Sequence, residues 1–217
     1  KLEALCQELK SLEQIEQTIG ELDEWPSIQA GLEMALLDFK SENHILFPSD
    51  FTDGYERQPI NGLIWMGKLD FMLEQMKQRI EQGFLVIKMK IGAIGIEEEL
   101  SLLEKFRSEF GPHELQLRVD ANGAFSEQEA LPILERLDKL RIHSIEQPIK
   151  AGQHKAMARL CRKSPLPIAL DEELIGVFKE EEKIALLDDI NPRFIILKPS
   201  FLGGFKKSEA WIEMAEK

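Results

Sequence analysis

Two rhythms of apolar residues alternate along the chain from Pro59 onward. The short runs Ile60–Met66, Phe84–Ile91, Leu115–Asp120, Ile142–Gln147, Pro167–Asp171 and Phe194–Lys198 are apolar continuously or at every second position, and read as strands. Between them the spacing shifts to three and four, which predicts helices over 68–82, 96–108, 126–138, 153–162 and 179–187, with one more starting near Gly204. In 68–82 the apolar face is Leu69, Met72, Leu73, Met76 and Ile80, and Gly83 follows its end. Ser126-Glu127-Gln128-Glu129 is spelled as a capping box. Six successive strand–helix units with short loops make the fold class α/β, a parallel sheet covered by helices. Strands apolar on both faces except at their C-terminal ends suit a TIM-type (β/α) barrel. A closed barrel needs eight units, so the barrel is expected to be incomplete in this chain, with the rest beyond Lys217 in a longer protein. An open doubly wound sheet is the runner-up.

The first part keeps a different pattern. Leu2, Leu5, Leu9, Leu12, Ile15 and Ile19 predict an amphipathic helix over 2–19, with Gly20 at its C-cap. Ser27 is placed to cap a second helix over 28–40, whose apolar face is Ile28, Leu32, Leu36 and Phe39. Two helices without a strand between them stand outside the strand–helix alternation. Residues 1–40 are therefore expected to form a separate helical element, joined by the polar loop 41–59.

What the strands end in carries the functional signal. Lys88 and Lys90, then Asp120, Glu146, Asp171 beside Glu172, and Lys198 stand in order at or near successive C-terminal ends. Parallel α/β proteins keep their chemistry there. One strand-end Asp usually only caps a turn, and it is the recurrence that changes the reading. Period-two parity puts Lys88 and Lys90 on one face with Phe84 and Val86, Asp120 with Gln116 and Arg118, and Asp171 with Ala169, so each charge can face a barrel interior. Three carboxylates converging from successive strands would raise one another's pKa unless a cation sat among them. With no His or Cys in the set, that cation is expected to be Mg²⁺, with Mn²⁺ possible, rather than Zn²⁺. The alternative is three separate acids, each paired with a lysine or arginine. Lys90 and Lys198 would flank the cation, and a partly desolvated lysine beside it can act as a general base. Metal and lysine together suit abstraction of a proton α to a carboxylate.

Composition narrows the partners. A formal net charge of −12 argues against nucleic acid and anionic membranes, and no apolar run is long enough to span a bilayer. Without a signal-peptide pattern the chain reads as cytoplasmic, acting on a small-molecule carboxylate substrate, and nothing in it speaks to oligomeric state. Cys6 and Cys161 lack paired spacing and read as reduced core thiols. His44, His113, His143 and His154 read as surface or structural residues, and Glu97–Glu99 as a solvated first turn. Gly92-Ala93-Ile94-Gly95 is at most a weak nucleotide loop, lacking the full glycine pattern.

Lys88-Met89-Lys90, Arg118-Val119-Asp120-Ala121-Asn122, Ile145-Glu146-Gln147-Pro148, Ala169-Leu170-Asp171-Glu172 and Ile196-Leu197-Lys198-Pro199 together resemble the motif set of the enolase superfamily, muconate-lactonizing-like subgroup. The wording at 120–126, 144–149, 169–176 and 197–205 is similar to that of the o-succinylbenzoate synthase family. Ser27–Phe39 resembles the last helix of the superfamily's α+β capping domain. The resemblance implies a capping-domain remnant and linker over 1–58 and the barrel over 59–217. It implies that Lys90 removes the proton α to the substrate carboxylate, that Lys198 stays cationic opposite it, and that Lys88 supports Lys90. Asp120, Glu146 and Asp171 would hold Mg²⁺, with Arg118, Asn122 and Glu172 around them or on the substrate. The implied reaction is Mg²⁺-dependent syn-dehydration of a cyclohexadiene carboxylate (SHCHC) to o-succinylbenzoate in menaquinone biosynthesis, a hydro-lyase activity. A dipeptide epimerase or N-acylamino-acid racemase with the same two lysines is the alternative, because racemisation and dehydration share the first intermediate.

Overall fold

The structure, a computed structural model, describes residues 11–216. Leu2, Leu5, Cys6 and Leu9 of the first expected helix lie outside the described residues. The chain divides into two units, one holding the chain up to Gln58 with Leu174–Ile184 and everything from Leu197 on, the other holding Pro59–Glu173 and Ala185–Ile196.

In the first unit, α1 (Leu12–Thr18) starts at Ser11, whose hydroxyl accepts from Gln14 N at 3.3 Å. Gly20 is not its C-cap, because the chain tightens into the 3₁₀ turn Ile19–Glu21, a common way to use up a helix's last carbonyls. Nor does Ser27 cap α2 (Pro26–Lys40). Pro26 takes the first helical position behind Trp25, where its fixed φ is already helical and its missing N–H had no partner to lose. The Ser27 hydroxyl donates instead to Ser200 O at 2.8 Å.

The second unit holds a parallel sheet, and its elements run β1 (Gly62–Ile64), α3 (Leu69–Glu81), β2 (Val86–Lys90), α4 (Ile96–Glu109), β3 (Gln116–Asp120), α5 (Glu127–Lys139), β4 (Ile145–Glu146), α6 (His154–Lys163) and β5 (Ile168–Leu170). α7 (Glu180–Ile190) begins in the first unit and ends in the second, before β6 (Phe194–Ile195). The six strands pair in the order β1-β2-β3-β4-β5-β6, all parallel. A doubly wound sheet reverses its order at a switch point. This one does not, so the runner-up is set aside and the winding is that of a (β/α) barrel.

Burial follows the parity read from the sequence. Ile87 and Met89 of β2 and Leu117 and Val119 of β3 are buried on the helix side, while Lys88, Lys90, Gln116 and Arg118 are half-buried on the other. The face of α3 is narrower than expected. Met72 and Met76 are fully buried, but Leu69 is exposed, as befits a helix beside the edge strand β1. The capping box of α5 is complete, with Glu129 N donating to Ser126 Oγ at 3.3 Å and Ser126 N to Glu129 Oε2 at 3.1 Å. β4 and β6 are shorter than predicted, yet ladder hydrogen bonds continue past them, Gln147 N to Ala169 O (2.9 Å) and Ile196 N to Leu170 O (2.7 Å).

The chain from Leu197 on, in the first unit, adds the unpredicted short helix α8 (Pro199–Leu202) and then α9 (Phe205–Ala215). Glu33 of α2 accepts from the first amides of α9, Phe205 N at 2.5 Å and Lys206 N at 3.1 Å, which satisfies donors that a helix start leaves open. Among the described residues, no helix is long and apolar enough to cross a membrane.

Candidate active site

The ladder itself aligns the charges. Across β2 and β3, Lys88 stands opposite Arg118 and Lys90 opposite Asp120, and across β3 and β4 Asp120 stands opposite Glu146. All have the same parity, so their side chains leave the same face. Lys88 Nζ donates to Glu146 Oε2 at 2.5 Å and lies 2.8 Å from Asp120 Oδ2. Lys90 Nζ donates to the same Asp120 oxygen at 2.5 Å and to Asn122 Oδ1 at 2.7 Å. The Asn122 amide donates in turn to Glu172 Oε1 at 2.9 Å. Glu146, Lys88, Asp120, Lys90, Asn122 and Glu172 are thus one continuous polar chain along the strand ends.

Arg118 is on the same face, its guanidinium 3.0 Å from the Gln116 side-chain oxygen once that amide is oriented to accept. Asp171, at 2 % exposure, is held through its own backbone amide, which donates to Gln147 Oε1 at 3.1 Å. Lys198 belongs to the first unit. It lies past the end of β6, as the extended residue before α8, because Pro199 at the first helical position keeps it out of the helix. On the sheet face a cavity of about 300 Å³ opens beside Lys88 and Glu146, lined also by Arg118, Ser144, His143 and Phe194. His143 is stacked on Phe194 and sits beside the Ser144 hydroxyl, consistent with a structural role.

Burial and charge pull these groups apart. Burial works against the charge of Asp120, but the ammonium groups of Lys88 and Lys90 outweigh it and hold its carboxyl below the usual range. Glu146 is pushed up to about 8, by burial first, with Lys88 opposing and the Asp120 and Asp171 carboxyls adding to the rise. Burial also opposes the charge of Lys88, yet its two carboxylate partners hold its pKa above the ordinary lysine value. Two buried acids facing one ammonium share a proton unevenly. Asp120, with two cations against it, ionises more readily than Glu146.

This donor set is oxygen-only, and Glu146 Oε1 is buried with no hydrogen-bond partner. Buried acceptors are seldom left so, and an unpaired carboxylate oxygen between two further acids is what a hard divalent cation takes. As the side chains stand, no three His, Cys, Asp or Glu among the described residues are disposed to ligate one ion, the lysine ammonium groups holding the acids instead.

Two reaches of the site were not foreseen. Glu97 and Glu98 are solvated as expected, but Glu99 is fully buried. Its carboxylate accepts from Gly92 N at 2.8 Å, Ala93 N at 3.2 Å and Ile94 N at 3.3 Å, fixing the loop after Lys90. The anion position of that loop is therefore filled by the chain itself, which removes the nucleotide reading. A run of open amides ahead of an acidic first turn was the available clue. The second is Gln147, whose only clue is its place after Glu146. Cys161 is half-buried, its thiol pushed up to about 11 chiefly by burial, as an inert core thiol would be.

The turn after Asp120 is sterically closed. Asn122 and Gly123 both have positive φ, +44° and +75°, and a Cβ on Gly123 would lie 2.8 Å from Lys150 Cα. Gly123→Ala is expected to destabilise the fold by roughly 2 kcal/mol or more, because neither backbone can yield cheaply. Urea unfolding measures it, and an unchanged midpoint would mean that the turn relaxes.

The family described as Enolase C-terminal domain-like matches residues 72–217. The o-succinylbenzoate synthase of Desulfotalea psychrophila is 50 % identical over 205 residues, covering 90 % of this chain and 55 % of that one. The N-succinylamino acid racemase of Thermus thermophilus is 33 % identical over 186 residues, covering 84 % of this chain and 48 % of its own length. Among solved structures, MenC from Desulfotalea psychrophila LSv54 superposes with a TM-score of 0.83 at 45 % identity, covering 97 % of this chain and 61 % of that chain. The chain thus spans about half the length of the curated relatives it matches.

Proposed function

Since this chain belongs to the Enolase C-terminal domain-like family, we propose that it carries the lysine and carboxylate machinery of an o-succinylbenzoate synthase. The observation that carries the reading is the unbroken polar chain from Glu146 through Lys88, Asp120, Lys90 and Asn122 to Glu172. It sets one lysine between acids and presents another toward an amide oxygen that orients it. The 50 % identity to a named synthase supports the substrate.

In this reading Asp120, Glu146 and Asp171 hold Mg²⁺, for which the oxygen-only donors and the unpaired Glu146 oxygen are suited. Bound there, the ion would supply positive charge against the negative charge that develops on the substrate carboxylate. Lys90 takes the proton from the carbon α to that carboxylate. The neighbouring C–O bond breaks on the same face, and Lys90 returns the proton to the departing hydroxyl, which leaves as water. Asn122, accepting from Lys90 Nζ, orients the base. Lys88 neutralises the acids behind it. Lys198 is assigned the second, cationic role by its motif, and Arg118 and Glu172 complete the polar surround. The substrate is SHCHC and the product o-succinylbenzoate, placing the protein in menaquinone synthesis.

The test is an aromatisation assay on the full-length protein with SHCHC and Mg²⁺. Fast product formation that EDTA abolishes is the expected result. The identity to an N-succinylamino acid racemase favours one second reading. If no o-succinylbenzoate forms while solvent deuterium enters N-acylamino acids at the α-carbon, the site is a racemase's and the synthase reading falls.

A further inference from the structure

Gln147 is fully buried, and its backbone stands at φ +41°, a left-handed conformation that glutamine seldom adopts. Its side-chain amide makes every hydrogen bond it can. Oε1 accepts from Asp171 N at 3.1 Å and Glu173 N at 3.3 Å, and Nε2 donates to Ile149 O at 3.0 Å and Glu173 Oε2 at 2.9 Å. Turned over, the amide would meet donors with donors and acceptors with acceptors, so its partners dictate the orientation. The backbone is equally committed. Gln147 N donates to Ala169 O at 2.9 Å, and Gln147 O accepts from Gly123 N at 2.7 Å. Glu173, itself buried, accepts further from Gly152 N at 3.0 Å and lies 3.1 Å from His154 Nε2.

One residue therefore grips all three strand ends that carry the acids. It holds β3 through Gly123, in the turn after Asp120. It follows Glu146 directly on β4, and it holds β5 through the amide of Asp171 itself. Filling space would need only an apolar side chain, and the strained φ persists because so many partners determine it. We propose that Gln147, clamped by Glu173, is a positioning residue that sets the mutual spacing of Asp120, Glu146 and Asp171 for a divalent cation. The proposal rests on the functional reading above. Gln147 itself touches no reacting atom.

The test compares Gln147→Glu with the double variant Gln147→Glu/Glu173→Gln in the full-length protein. The single change sets a carboxylate oxygen against Glu173 and Ile149 O, and the double change restores a donor between positions 147 and 173. Mg²⁺ titration calorimetry without substrate is expected to show a Kd about 10- to 100-fold higher for the folded single variant, with most of the loss recovered in the double. Amide hydrogen exchange should speed up at Asp171 and Glu173 in Gln147→Met, which removes the oxygen both amides donate to, while the β2–β3 amides keep their protection. An unchanged Kd in the single variant, a double variant no better than the single, or retained protection at Asp171 and Glu173 in Gln147→Met would each overturn the proposal. If Gln147→Glu does not fold, Gln147→Met takes its place in the titration too, and the same weakening is expected of it. An unmodified protein that takes up no Mg²⁺ would instead count against the functional reading, and the exchange arm, which needs no metal, still decides whether Gln147 is the clamp.

Discussion

Replacing Lys90 with alanine is expected to lower kcat for SHCHC dehydration about 10³-fold or more, with the fold and Mg²⁺ affinity kept. Lys90 is the end of β2, and its Nζ reaches both Asp120 Oδ2 and Asn122 Oδ1. Asp120 keeps Lys88 at 2.8 Å after the change, so a buried acid is not stranded without a cation. A structural lysine would cost stability and spare turnover, whereas a base costs turnover and spares stability. Steady-state kinetics with circular dichroism as the folding control separates the two. Activity within about tenfold of the parent would remove Lys90 as the base.

The second large effect is expected at Asp120→Asn, which should weaken Mg²⁺ by about 100-fold or more in calorimetric titration. Asp120 is fully buried and is the shared acceptor of both lysines, so its charge is the hinge of the cluster. The same titration run against pH carries a second expectation. Burial first of all pushes Glu146 up to about 8, so below that pH an ion that needs the ionised carboxylate competes with a proton. Affinity in the parent should therefore rise with pH, by up to about tenfold per unit, and level off above about pH 8. Mg²⁺ binding that ignores both the substitution and pH would sink the ligand assignment.

Much of this was legible beforehand because strands write their parity into sequence. The alternation through Lys88-Met89-Lys90 and Arg118-Val119-Asp120 announced which residues share a face, and the burial pattern agrees up to Asp120, which is buried on its own face among the lysines. The capping box at Ser126 was equally open, being a local arrangement over four residues. What stayed hidden depends on partners distant in the chain or on a competing local rule. Ser27 had the right chemistry for a cap, but Pro26 started the helix first. Glu99 looked like its solvated neighbours because its partners are backbone amides, which any residues can offer. Gln147 bonds to residues up to 26 positions away, and no short-range pattern encodes that. The brief α8 after Lys198 escaped because four residues are too few to show a helical period.

The lysines and acids owe their alignment to counting. Backbone pairing matches Lys90 to Asp120 and Asp120 to Glu146 residue for residue, so the sheet works as a ruler on which the reactive groups are successive marks. An added residue in a surface loop leaves the marks in place. One added residue inside β2, before Ile87, would turn both lysines toward the helices and bring Ile87 and Met89 to the opposite face. Side chains around the site can therefore change one at a time, whereas strand length between the first paired residue and the last charge cannot change at all.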